Sequence, residues 1–73
     1  MKGIEFKKIR KKLGLSREEL ASLLGLSGYN AVSNIELELR NPSKLAGIVM
    51  RILNALPKKR ADELITLMRK YKE

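Results

Sequence analysis

Apolar residues recur at intervals of three and four along almost the whole chain, and Gly, Ser, Asn and Pro interrupt them at short intervals. Such spacing puts the apolar side chains on one face of successive short helices, and no alternating pattern competes for a strand. The fold class that follows is all-α, with five helices forming one domain over residues 1–73. A chain of this length buries only about 60% of its unfolded surface, so the helices must pack efficiently.

Phe6, Ile9 and Leu13 predict a first helix over residues 2–13, with Lys7, Lys8, Lys11 and Lys12 mostly on the other side and Gly14 ending it. Ser16 followed by Glu19 has the pattern of a capping box and starts a second helix, with Leu20, Ala21 and Leu24 inward and Gly25 breaking it after about two turns. A third helix needs Val32 and Ile35 inward; it starts between Ser27 and Ala31 and fades near residues 37–39. Asn41-Pro42-Ser43 initiates a fourth, because Pro42 keeps Asn41 out of the helical region and Ser43 can cap. That helix, over about residues 44–55, carries Leu45, Ile48, Val49, Ile52, Leu53 and Leu56 and is expected to be the centre of the core. Pro57 suits the first turn of a fifth helix reaching about Tyr71, with Leu64, Leu67, Met68 and Tyr71 on one stripe and Ile65 widening it.

Composition narrows the chemistry. The chain has neither cysteine nor histidine, hence no disulfide, thiolate nucleophile or imidazole base, and neither of the ligands most zinc and haem sites use. Glu18 with Glu19 and Asp62 with Glu63 are adjacent acids in first helical turns, where they complement the helix dipole. No enzyme, metal or cofactor is expected. The longest apolar run spans residues 45–50, against about 20 residues for a bilayer span. The N-terminus has no signal-peptide pattern, so a cytoplasmic location and no membrane partner are expected.

Sixteen Lys+Arg against eight Asp+Glu leave a net charge of +8, and the excess sits towards the two ends, within residues 1–19 and 51–73. Each basic side chain taken singly is explained as a solvated helix face. The net excess points to a polyanion, with nucleic acid the leading partner.

The strings "FKKIRKKLGLSREELASLLGLS", "VSNIE" and "RNPS" resemble the lambda-repressor-like, or Cro/XRE-type, helix-turn-helix domain, over about two-thirds of the chain. The resemblance implies that helices two and three form the DNA-binding unit, with Ala21 at the close approach and Gly25 at the turn. It also implies a pair between Arg10 and Glu36 that locks the unit; the competing reading is two exposed charges. Two departures stand out. Four residues, Gly28, Tyr29, Asn30 and Ala31, separate Ser27 from Val32 where the family usually has three, and Gly28 is expected to absorb the insertion in the turn. The family's glycine after the third helix is Glu38, between Leu37 and Leu39, so that helix is expected to run about one turn longer, with one of those leucines exposed.

A helix around residues 29–38 would enter the major groove of double-stranded DNA, where amide side chains can bind adenine in two places. By the resemblance, Tyr29, Asn30, Ser33 and Asn34 match the base-reading positions. Asn30 is equally readable as an N-cap and Tyr29 as a packing residue over the turn. Helix N-termini and basic side chains supply phosphate contacts, which selects Ser16, Arg17, Arg40, Ser43 and Lys44, helped by Lys11 or Lys12. Arg17 replaces a glutamine common in the family, and its loss would weaken binding to all sequences alike.

One such unit reads few base pairs, so a homodimer on DNA is expected, its recognition helices about 34 Å apart. Leu64, Ile65, Met68 and Tyr71 form the candidate seam, or else complete the monomer core. The function implied is a small transcriptional regulator, most simply a repressor; with no effector domain following, it would sense nothing itself. Rival readings are an antitoxin holding a toxin through Leu37, Leu39 or the fifth helix, a protein-interaction module that leaves DNA unread, and an amphipathic membrane-surface peptide.

Overall fold

The computed structural model describes residues 1–72. Five helices follow in order: α1 (Gly3–Lys12), α2 (Arg17–Leu24), α3 (Tyr29–Glu36), α4 (Lys44–Ala55) and α5 (Lys58–Tyr71), and no strand occurs among the described residues. α3 packs on α2 and α1, α4 on α1 and α5, and α5 returns to α2. Phe6, Leu20, Val32, Met50 and Leu53 are the largest fully buried side chains, one or more from each of the first four helices. Ala61 and Ile65 of α5 complete the core.

Local chemistry sets the helix ends. At the start of α2, Ser16 Oγ accepts from the Glu19 amide at 3.0 Å and Glu19 Oε1 accepts from the Ser16 amide at 2.8 Å, the reciprocal capping box. At its end Gly25 takes φ 71°, and the Leu26 amide donates back to the Ala21 carbonyl at 2.8 Å, which closes the helix and turns the chain. Ser43 Oγ accepts from the Ala46 amide at 3.1 Å and starts α4. Pro57 stands just before α5 as its N-cap, not inside the first turn.

The start of α1 is held by a distant residue. Its N-cap, Lys2, supplies no side-chain bond. Instead the Gly3 amide donates to Glu38 Oε2 at 2.9 Å, across 35 positions of sequence. Gly3 lies so close to the end of α3 that a Cβ there would sit 2.7 Å from the Ile35 carbonyl oxygen and nearer still to that of Glu36. No side chain other than hydrogen fits this approach.

Several sequence expectations change. α3 ends at Glu36 and does not run a turn longer, because Glu38 adopts φ 64°, the left-handed conformation that the family's glycine would take. Both Leu37 and Leu39 are exposed. In α2 the buried leucines are Leu20 and Leu23, while Leu24 is half-buried against the core edge. The inward face of α4 is Ala46, Gly47, Met50 and Leu53, and Leu45, Ile48 and Ile52 face outward. α4 is apolar on both sides, so spacing alone cannot choose a face; contact with α1 and α5 does. In α5, Ile65 belongs to the monomer core and cannot form a dimer seam, Leu64 and Met68 are half-buried, and Leu67 and Tyr71 are exposed.

Candidate nucleic-acid interface

α3 buries Ala31, Val32 and Ile35 against the domain. At 3.6 residues per turn the opposite face is made by Tyr29, Asn30, Ser33 and Asn34. Tyr29 and Asn30 are exposed and Ser33 and Asn34 half-buried, so among the described residues this polar face stays open to solvent. The inserted residue is absorbed before the helix: Gly28 is the N-cap with φ 139°, a conformation open to glycine, and Tyr29 is the first helical residue. Asn30 therefore lies inside the first turn and is not the cap.

Behind this face lies a three-residue charge cluster. Arg10 Nε donates to Glu36 Oε2 at 2.6 Å, and Arg10 Nη1 donates to the Leu15 carbonyl at 2.9 Å. Arg17 Nε donates to the other carboxylate oxygen of Glu36 at 2.9 Å. The Glu36 side chain is only 3% exposed and that of Arg10 8%, whereas Arg17 keeps 29% of its surface in solvent. Burial pushes the Glu36 carboxyl up, but the hydrogen bonds and charges of Arg10 and Arg17 outweigh it, and the group is held below the usual carboxylate range. The Arg10–Glu36 lock expected from sequence is present, and it fastens the last residue of α3 to α1.

Arg17, a candidate phosphate ligand, has partners within the chain: its guanidinium is shared between Glu36 and Tyr29, with the guanidinium carbon 5.4 Å from the Tyr29 ring centroid and Nη1 3.4 Å from the Tyr29 hydroxyl. The hydrogen bond to Glu36 raises the Arg17 pKa further above its usual value. Arg17 thus joins the start of α2 to both ends of α3.

Of the remaining selected residues, Ser16 and Ser43 stand at the starts of α2 and α4 with their hydroxyls engaged as caps, and Lys44 is exposed in the first turn of α4. Arg40 is exposed just beyond α3, its amide donating to the Asn34 carbonyl at 3.2 Å. Lys11 is exposed, whereas Lys12 Nζ is tied to Asn54, 3.2 Å from its side-chain oxygen. The supporting roles of Gly3, Glu38 and Leu23 were not found from sequence. Only the left-handed requirement after α3 left a signal, in the family glycine that Glu38 replaces.

Five helices, a capped short α2 turning through Gly25 into α3, and an uncovered polar face on α3 define a lambda-repressor-like domain. A family model described as helix-turn-helix matches residues 6–64, and the chain belongs to that family. No curated protein and no solved structure matches the chain. The family is one of DNA-binding regulatory domains. No helix among the described residues is long and apolar enough to cross a membrane.

Proposed function

We propose that this chain is a small transcription regulator, most simply a cytoplasmic repressor, that reads a double-stranded DNA operator by laying α3 in the major groove. The observation that carries the reading is the solvent-facing polar face of α3, where Asn30 and Asn34 stand one helical turn apart beside the row of Tyr29 and Ser33. Amides at this spacing can each bridge two groups of an adenine edge. Arg40, Lys44 and the N-termini of α2 and α4 would hold the phosphates and orient the domain. The face gives room for few base pairs, so two copies on a two-fold site extend the reading; the exposed or half-buried Leu64, Leu67, Met68 and Tyr71 are the candidate seam.

Selection of bound duplexes from a random pool, followed by affinity measurements on single-base variants, tests this reading. Wild type is expected to enrich one short motif. Asn34→Ala is expected to cost about 1 to 3 kcal/mol and relax preference at one base pair, while Lys44→Ala weakens every duplex and lowers the salt dependence by about one phosphate contact. Enrichment of no motif, or an equal loss on all duplexes for Asn34→Ala, would refute base reading by α3.

A further inference from the structure

The outer face of α4 is an apolar feature that the DNA reading leaves unused. Leu45, Ile48 and Ile52 are 69%, 42% and 47% exposed, and Val49 and Leu56 are only partly buried beside them. Leu45, Ile48 and Ile52 are spaced three and four apart, Leu56 follows Ile52 by four and Val49 lies beside them, a straight seam along the helix rather than scattered surface residues. An aligned stripe of branched side chains on a monomer marks a docking surface.

Charge indicates what docks there. α4 contains no acidic residue; its two charged residues, Lys44 and Arg51, are both exposed and lie seven apart, on the row that borders the seam at Ile48. Where α4 meets α5, Leu56 ends the stripe at a groove whose Arg60 and Glu63 cancel in charge. The net border is therefore basic, on a chain of +8. An antiparallel two-fold pairing of α4 with its own copy would set the Lys44 and Arg51 row against the same row, so like charges oppose it.

We propose that this seam is the docking surface for an acidic amphipathic helix of another protein. The apolar face of that helix covers Leu45, Ile48 and Ile52, and its flanking carboxylates oppose Arg51. Lys44 stands at the border with the face assigned to DNA, so Arg51 is the cation the partner needs. The proposal rests on the seam of Leu45, Ile48 and Ile52 and survives or fails apart from the DNA reading.

The test uses the full chain, isotope-labelled, and a synthetic helical peptide matched to α4 in length, with leucines on one face and glutamates on both flanks. Amide shift changes are expected to concentrate on residues 45–56. A scrambled peptide of identical composition, and the Ile48→Ser/Ile52→Ser double variant with the original peptide, are each expected to bind about tenfold more weakly, the apolar contact having been removed. Both isoleucines are about half exposed and neither belongs to the core cluster, and circular dichroism checks that the variant stays folded; Arg51→Glu, at an exposed position, is expected to give an independent loss of affinity. Shift changes centred on α3 or spread over the basic surface, unchanged affinity in the double variant, or peptide-free dimers that Ile52→Ser abolishes would each overturn the proposal.

Discussion

The Arg17 guanidinium lies over the ring of Tyr29, 5.4 Å from its centroid, while its Nε bonds Glu36. An arginine in this place acts on α3 from outside it, steadying the first residue of a helix whose N-cap supplies no side chain. If α3 reads bases, Arg17→Ala is expected to change preference at the base pair beside Tyr29 and to leave the salt dependence of binding nearly intact. Affinities on single-base variants at several salt concentrations check this. A uniform loss with a shallower salt slope would return Arg17 to the phosphate contacts assigned from sequence.

Glu36 serves two arginines from a site nearly closed to water, so Glu36→Gln leaves both facing a neutral amide. Urea denaturation is expected to show a loss of about 3 kcal/mol, the low end for a broken buried pair, because Arg17 is partly solvated. The sign of the pH effect follows from the depressed Glu36 pKa. Its contribution is complete above the ordinary glutamate value of 4.5 and is lost as the pH falls through the lower folded value. Stability measured between neutral and acid pH should therefore fall more steeply for wild type than for Glu36→Gln. Glu19, also depressed through its bonds to the Ser16 amide and hydroxyl, acts in the same direction.

Two glycines in helices have opposite expected responses to alanine. A Cβ at Gly3 would press into the backbone oxygens of Ile35 and Glu36, whereas a Cβ at Gly47 would meet nothing within 4 Å. Gly3→Ala is expected to cost about 1 to 3 kcal/mol through overpacking. Gly47→Ala should gain about 0.5 to 1 kcal/mol from reduced chain entropy in the unfolded state. Thermal melts of the two variants beside wild type decide both signs.

Glu38 sets a strained backbone against a useful carboxylate. Its left-handed φ costs on the order of 1 kcal/mol or more, and its bond to the Gly3 amide returns about the value of an N-cap, roughly 1 kcal/mol. Glu38→Gly relieves the strain and loses the cap, so its stability should stay near wild type. Glu38→Ala loses the cap and keeps the strain, and should unfold at lower denaturant than either.

The sequence made legible whatever was local. The capping box at Ser16 and Glu19, the turn at Gly25, the start at Ser43 and the polar face of α3 all follow from residues within a few positions of one another. The Arg10–Glu36 pair was reached through family likeness, since spacing says nothing about contacts across 26 positions. The errors fell where choice depended on a neighbour. α4 has apolar residues around much of its circumference, and only contact with α1 and α5 selects Met50 and Leu53 over Ile48 and Ile52. Ile65 could widen a seam or fill a core with the same periodicity. The end of α3 depended on whether a glutamate would accept a glycine's conformation, which is decided by its bond to Gly3.

The contact of Gly3 with Glu38 and with the carbonyls of Ile35 and Glu36 makes the opening turn of α1 and the tail of α3 one cooperative unit. Fraying, which elsewhere begins freely at a first turn, must here also loosen the anchor of the proposed groove-facing rod. Hydrogen exchange at the amides of Gly3 and Leu39 should then report a single opening event, and any ligand that stiffens α3 would slow both.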